Sequence, residues 1–159
     1  MKKVVIITRG ALRHKYFISQ FVNSEKIKVE RVYQVITDSV ASFGSNEQCL
    51  KAHHEARIQI EYDYFGSLIS GLNDVDIRTI SESRFDSGLL LEDLSEEDFD
   101  IIVCYGPPLL KGDFIGLYDH RIINVHLGLS PYYRGSATNM WAYIKRDFDL
   151  IGATFMYMN

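Results

Sequence analysis

Apolar and polar positions fall into blocks along the 159-residue chain. Lys3–Thr8 is a short β-branched apolar run, which predicts a buried strand. Leu12–Val22 has the spacing of an amphipathic helix. Ile27–Ile36, with Val29, Val32, Val35 and Ile36, predicts a second strand. A small-residue loop over Thr37–Ser45 leads to Asn46, a candidate N-cap. A long helix is expected from there to about Leu72, with Leu50, Ile58, Phe65, Leu68 and Leu72 on one stripe and His54 and Glu61 at its margin. Val75–Ile80 is a third strand. The acidic stretch Ser81–Asp98 contains a short helical run from Gly88. Phe99–Cys104 is a fourth strand, Ile122–His126 a fifth and Ile151–Met158 a sixth. Between the last two, Leu127–Gly135 is a loop and Thr138 is placed to cap a helix through Arg146.

Strands alternating with helices predict an α/β domain of Rossmann-like, doubly wound type, with a mostly parallel sheet and helices on both faces. The composition agrees: 47% of residues are apolar and 24% charged. No apolar run approaches the roughly 20 residues of a membrane helix. The opening apolar segment turns polar too early for a signal peptide. The two cysteines, Cys49 and Cys104, form no Cys-x-x-Cys pair and are expected as reduced thiols, so a cytoplasmic location is expected. Net charge is −4 with no Lys/Arg block, so neither nucleic acid nor a membrane is an expected partner.

The first turn reads Thr8-Arg9-Gly10-Ala11-Leu12-Arg13-His14. It lacks Gly-x-Gly-x-x-Gly, which lets a backbone approach a pyrophosphate, and it lacks Gly-Lys-Ser/Thr. Ordinary dinucleotide and P-loop chemistry are therefore not encoded. Arg13, His14, Lys15 and Tyr16 sit at the start of the first helix, where open α/β sheets bind ligands, and cations at a helix start attract phosphate. A solvated first turn explains them equally well. The neighbours His53 and His54 diverge by about 100° on a helix and chelate poorly, so no metal is expected.

Asn124 and His126 are two apart at the carboxyl end of the fifth strand, so they share a face. A carboxamide beside an imidazole suits acyl transfer to an amine. The amide donor stabilises an oxyanion, and the imidazole moves a proton.

The surrounding residues give this pair a context. Asn-Val-His-Leu-Gly-Leu-Ser-Pro-Tyr-Tyr-Arg-Gly (124–135), then Trp141-Ala142 and Gly152-Ala153-Thr154, resemble the folate-dependent formyltransferase family. Cys104-Tyr105-Gly106 followed by Pro-Pro-Leu-Leu resembles the family's strand-four turn, which borders its folate pocket. The likeness is close over Phe99–Asn159 and loose over Met1–Ile36. Ser130 stands where Leu is more usual before the Pro.

The resemblance implies N-formyl transfer from N10-formyltetrahydrofolate to a primary amine, without metal. It assigns Asn124 and His126 as catalytic, and Tyr105, Gly106, Leu129 and Pro131 to the folate. The acceptor is expected to meet Arg9, Arg13, His14, Tyr132 and Arg134. The Gly-x-x-Arg-His-x-Tyr-Phe run and the Tyr-Tyr-Arg-Gly-Ser loop look most like the branch that formylates amino sugars on nucleotide carriers for surface polysaccharide. Residues 1–159 are then the catalytic domain, cut short before the family's third catalytic residue, an Asp; the chain as it stands is expected to be inactive. Three alternatives stay open: formylation of another amine (methionyl-tRNA or glycinamide ribonucleotide), a non-catalytic folate- or nucleotide-binding domain, and an interaction module. A homodimer is left open too.

Overall fold

The computed structural model describes residues 1–37, 47–85 and 87–158, without the side chains of 47, 49, 50 and 87–89. Six strands form one sheet: β1 (Lys2–Arg9), β2 (Ile27–Ile36), β3 (Ile77–Ser81), β4 (Ile101–Tyr105), β5 (Ile122–His126) and β6 (Thr154–Tyr157). Their order is β3-β2-β1-β4-β5-β6. β1 to β5 are parallel, and β6 runs antiparallel along β5. The expected mostly parallel, doubly wound sheet is therefore present, and the chain reverses direction only at its last strand.

Both faces are covered, which explains why the central strands are apolar on both sides. Helix α1 (Leu12–Val22) packs Phe17, Ile18, Phe21 and Val22 against Val4, Ile6, Val32 and Val103. On the other face, α3 (Ser87–Ser95) and α4 (Gly112–Leu117) bring Leu90, Leu94 and Phe114 against Val5, Ile7, Tyr33, Val35, Ile102 and Cys104. Burial pushes the Cys104 thiol up to about 12, so it is an inert core residue.

Several expected boundaries move. Helix α2 (Glu47–Phe65) ends seven residues before Leu72, and two short 3₁₀ turns follow. Within the helix Ile58 is 59% exposed; beyond it Leu68 is 53% exposed, while Leu72 packs against the core. The helix is tied to α1, through the stacked rings of Tyr16 and Phe65 (5.0 Å) and an ion pair from Arg13 to Glu61. The proposed loop beyond Thr37 and the Asn46 cap lie outside the described residues. α4 was not anticipated, although Leu110, Phe114 and Tyr118 recur every four residues and all three are buried. Thr138 does not cap α5 (Thr138–Lys145). It is the first helical residue, buried, and Ala137 before it takes a left-handed conformation (φ 53°, ψ 30°) with no side-chain cap. Its site is taken by packing on Gly128, where an added Cβ would lie 2.6 Å from Thr138 Oγ1.

Candidate active site

Strands β1, β4 and β5 are neighbours, and their carboxyl ends open into one cleft of about 810 Å³. The cleft is lined by Arg9, Arg13 and His14 after β1, by Tyr105 to Leu110 after β4, and by Asn124 to Leu127 at the end of β5. Gly135 to Met140 close it from the α5 side. Parallel strands with ligand-facing carboxyl ends place a site at this edge. Leu129, Pro131, Tyr132 and Arg134 do not line the cleft. Leu129 packs on Gly152, and Tyr132 is 71% exposed on the loop that leads into it.

Asn124 and His126 share a face of β5, as their spacing requires. The carboxamide of Asn124 has no hydrogen-bond partner among the described residues. His126 Nε2 lies 3.0 Å from the carbonyl oxygen of Tyr133. A carbonyl only accepts, so the ring carries its proton on Nε2 and leaves a lone pair on Nδ1. No carboxylate bonds His126 among the described residues.

The loop that supplies the Tyr133 carbonyl is itself pinned. The Tyr133 N–H donates to Leu129 O (3.0 Å), and its hydroxyl donates to Asp147 (2.5 Å). Thr154 on β6 donates to Gly128 O (2.6 Å) and accepts from the Ser130 N–H (3.0 Å). Asn139 on α5 bonds both the N–H and the C=O of Gly152, each at 3.0 Å. Gly128 has to be glycine: a Cβ there would also come within 3.0 Å of His126 Nε2.

The β1 side is more enclosed. Thr8 is fully buried; its hydroxyl donates to Tyr105 O (2.8 Å) and lies 2.7 Å from His14 Nδ1. The hydroxyl has one proton and has used it, so His14 must donate from Nδ1. The His14 ring is 3% exposed and lies against Tyr105, with centroids 4.4 Å apart. Burial, then the charges of Arg13 and Arg9, hold its pKa down to about 3. His14 is thus neutral and adds no positive charge, contrary to the expectation of a cation at the helix start. The arginines are also compensated. Arg9 forms a two-pronged pair with Glu82 (both 2.8 Å), donates to Gly106 O (3.0 Å), and is held above its ordinary range by the Glu82 bond. Arg13 pairs with Glu61.

Tyr133, Asn139 and Thr154 organise the site together with Thr8, and those three were not singled out individually from sequence. Thr8 had a signal: it is the polar residue that closes an apolar strand at the ligand-binding edge. Among the described residues, no group of three or more His, Cys, Asp or Glu could hold a metal ion.

An Asn and a His thus share one strand end of an α/β domain and face one open cleft. A family model described as formyl transferase matches residues 1–159, and the chain belongs to that family. It is 39% identical over 69 residues to a methionyl-tRNA formyltransferase of Desulforamulus reducens, an alignment covering 43% of this chain and 21% of that protein. Its fold is similar to that of a phosphoribosylglycinamide formyltransferase from Anaplasma phagocytophilum (TM-score 0.65, 18% identity, 99% of this chain, 65% of the other). It is also similar to a formyltetrahydrofolate deformylase from Pseudomonas syringae pv. tomato (TM-score 0.61, 17% identity, 99% of this chain, 46% of the other). The chain therefore spans less than two thirds of the length of these relatives.

Proposed function

We propose that the protein transfers a formyl group from N10-formyltetrahydrofolate to a primary amine, with an amino sugar on a nucleotide carrier as acceptor. The carrying observation is the free carboxamide of Asn124 beside the free Nδ1 of His126, on one strand face in one cleft. The cleft suits a flat heterocyclic donor: Pro107, Pro108, Leu109, Leu110, Leu127 and Met140 offer apolar surface next to that polar pair. Tyr105 and Gly106 border this surface.

In this proposal the acceptor nitrogen attacks the formyl carbon. The Asn124 N–H groups hold the carbonyl oxygen as it gains charge, which is worth most where donors are fixed in advance. His126 Nδ1 takes the proton the amine loses and returns it to the departing N10, while Nε2–H stays on Tyr133 O. One C–N bond forms, one breaks, and the proton is conserved. Support for a nucleotide-linked acceptor is the loop resemblance, together with exposed Tyr132 and Arg134, which have no partner among the described residues. At Arg9 and Arg13 an anion would compete with Glu82 and Glu61. A small-molecule exchange of this kind fits a cytoplasmic enzyme, and no described helix is long and apolar enough to cross a membrane.

The test is formation of tetrahydrofolate from N10-formyltetrahydrofolate by the full-length protein, with and without nucleotide-linked amino sugars. Amine-dependent release supports the proposal. Release without any amine would make it a hydrolase, and no release would remove the catalytic reading.

A further inference from the structure

Helical periodicity puts His14 on the buried stripe of α1, four residues before Ile18, so its ring enters the protein rather than solvent. It stops at the cleft. Its Nδ1–H is committed to Thr8 and its ring face to Tyr105. Gly106 stands beside the remaining edge: a Cβ there would be 3.3 Å from His14 Cε1, and glycine leaves that edge open. Nε2 on this edge has no partner among the described residues. It is not sealed off either, since the buried side-chain polar atom found without a partner is Glu30 Oε1, not this nitrogen. A ring that is 97% enclosed thus keeps one lone pair directed to the cleft it lines.

We propose that His14 determines acceptor specificity, by accepting on Nε2 a hydrogen bond from a hydroxyl of the acceptor. The inference rests on the formyl-transfer reading and names the acceptor chemistry of that same site. The proposal places the reacting amine at Asn124 and His126 on β5, whereas His14 follows β1, two strands away with β4 between them. The hydroxyl belongs to a part of the acceptor on the β1 side of the cleft. A phosphate or carboxylate oxygen at this position would set lone pair against lone pair, because the ring's proton is on Nδ1 toward Thr8 and burial, with Arg13 and Arg9 beside it, keeps the imidazole neutral. The site thus selects a hydroxylated skeleton here and rejects an anion.

Two measurements on the full-length protein decide the matter. Long-range ¹⁵N–¹H NMR of histidine-labelled protein should show His14 neutral and protonated on Nδ1 from pH 7 to pH 5. Thr8→Val should convert it to a mixture of tautomers. A charged ring, or a proton on Nε2 in the parent, overturns the proposal. In formyl-transfer assays, a nucleoside-diphosphate-linked amino hexose serves as probe, with analogues lacking each hydroxyl in turn. His14→Leu should raise the acceptor KM about 10-fold, the scale of one neutral hydrogen bond, with the formyl-donor KM unchanged. His14→Gln, which keeps an accepting oxygen, should recover part of the loss. One deoxy analogue should be impaired in the parent and no further impaired in His14→Leu, the mark of direct coupling. An unchanged acceptor KM in His14→Leu, or a loss that falls on the donor KM, overturns the proposal. A parent protein that formylates no probe counts against formyl transfer to amino sugars, and the NMR result then stands alone as the judge of His14.

Discussion

Two imidazoles face the same cleft in opposite tautomers. His14 gives its proton from Nδ1 to a buried hydroxyl, and His126 gives its proton from Nε2 to a loop carbonyl. His14 is buried at the carboxyl ends of β1 and β4 beside two arginines, with one edge open to the cleft, and His126 is partly exposed at the end of β5. The same side chain is thereby fitted to two tasks. A neutral ring with a pKa near 3 takes up no proton at neutral pH, so its Nε2 can only receive a hydrogen bond while Nδ1–H donates to Thr8. His126 is anchored at one nitrogen and keeps the other without a partner among the described residues. The difference comes from the surroundings: Thr8 and Tyr105 are parts of rigid strands, whereas Tyr133 belongs to a loop.

The largest effect should come from breaking the open side of this pair. In the full-length enzyme, His126→Ala should lower turnover about 10²- to 10⁴-fold. Asn124→Ala should lower it about 10²- to 10³-fold, or about 2.7–4 kcal/mol, the usual loss for one oxyanion donor. Affinity for the formyl donor should change far less, because both groups act on charge that develops during transfer. Turnover surviving both substitutions would place the chemistry elsewhere in the cleft.

The two sides also differed in how far sequence revealed them. Asn124 and His126 could be read from a period-2 argument and a dense local motif. The strands were legible for the same reason: apolar runs on β1, β2, β4 and β5 reflect burial on both faces. The environment of His14 was not legible. Its neighbours Thr8, Tyr105 and Gly106 lie on other elements, up to 92 residues away in the chain, and only the register of β1 on β4 assembles them. Counted along the sequence, Arg13, His14 and Lys15 looked like a cationic cluster, with Arg9 close by. Glu61 and Glu82, which neutralise the arginines, come from α2 and from the turn after β3. The stripe of α2 misled for a related reason. Its period is helical, but the helix packs on α1 at one end rather than on the sheet, so Ile58 stays in solvent. α4 is short, and its Leu110-Phe114-Tyr118 spacing was hidden by Gly112 and Gly116.

A second prediction sharpens the buried side. His14 titrates near 6.5 when unfolded and at about 3 when folded. Between those values the unfolded chain binds a proton that the folded one does not. Folding stability should therefore be complete above pH 6.5 and fall as the pH drops through this window. The slope is about 1.4 kcal/mol per pH unit. From pH 6.5 to pH 5 the loss attributable to His14 is about 2 kcal/mol. Urea unfolding of the parent and of His14→Gln at both pH values isolates it: the variant should lack that part of the acid loss. Equal acid sensitivity in the two proteins would mean that His14 is not held neutral.

The smallest expected effect concerns the anchor of the open side. Tyr133 carries three bonds at once: its N–H to Leu129 O, its carbonyl from His126, and its hydroxyl to Asp147. Asp147 is fixed at the end of α5, where its own N–H donates to Ala142 O (2.9 Å). The carboxylate holds the Tyr133 phenol above its usual range, so this hydroxyl remains a donor at any working pH. Tyr133→Phe removes that bond and leaves Asp147 in solvent, with no buried charge exposed. The Tyr133 carbonyl then depends on the Leu129 turn alone to hold the His126 tautomer. Turnover should fall about fivefold, the scale of a single net hydrogen bond, with acceptor and donor KM unchanged. A lower melting temperature with unchanged kcat would show that the hydroxyl steadies the loop without reaching His126.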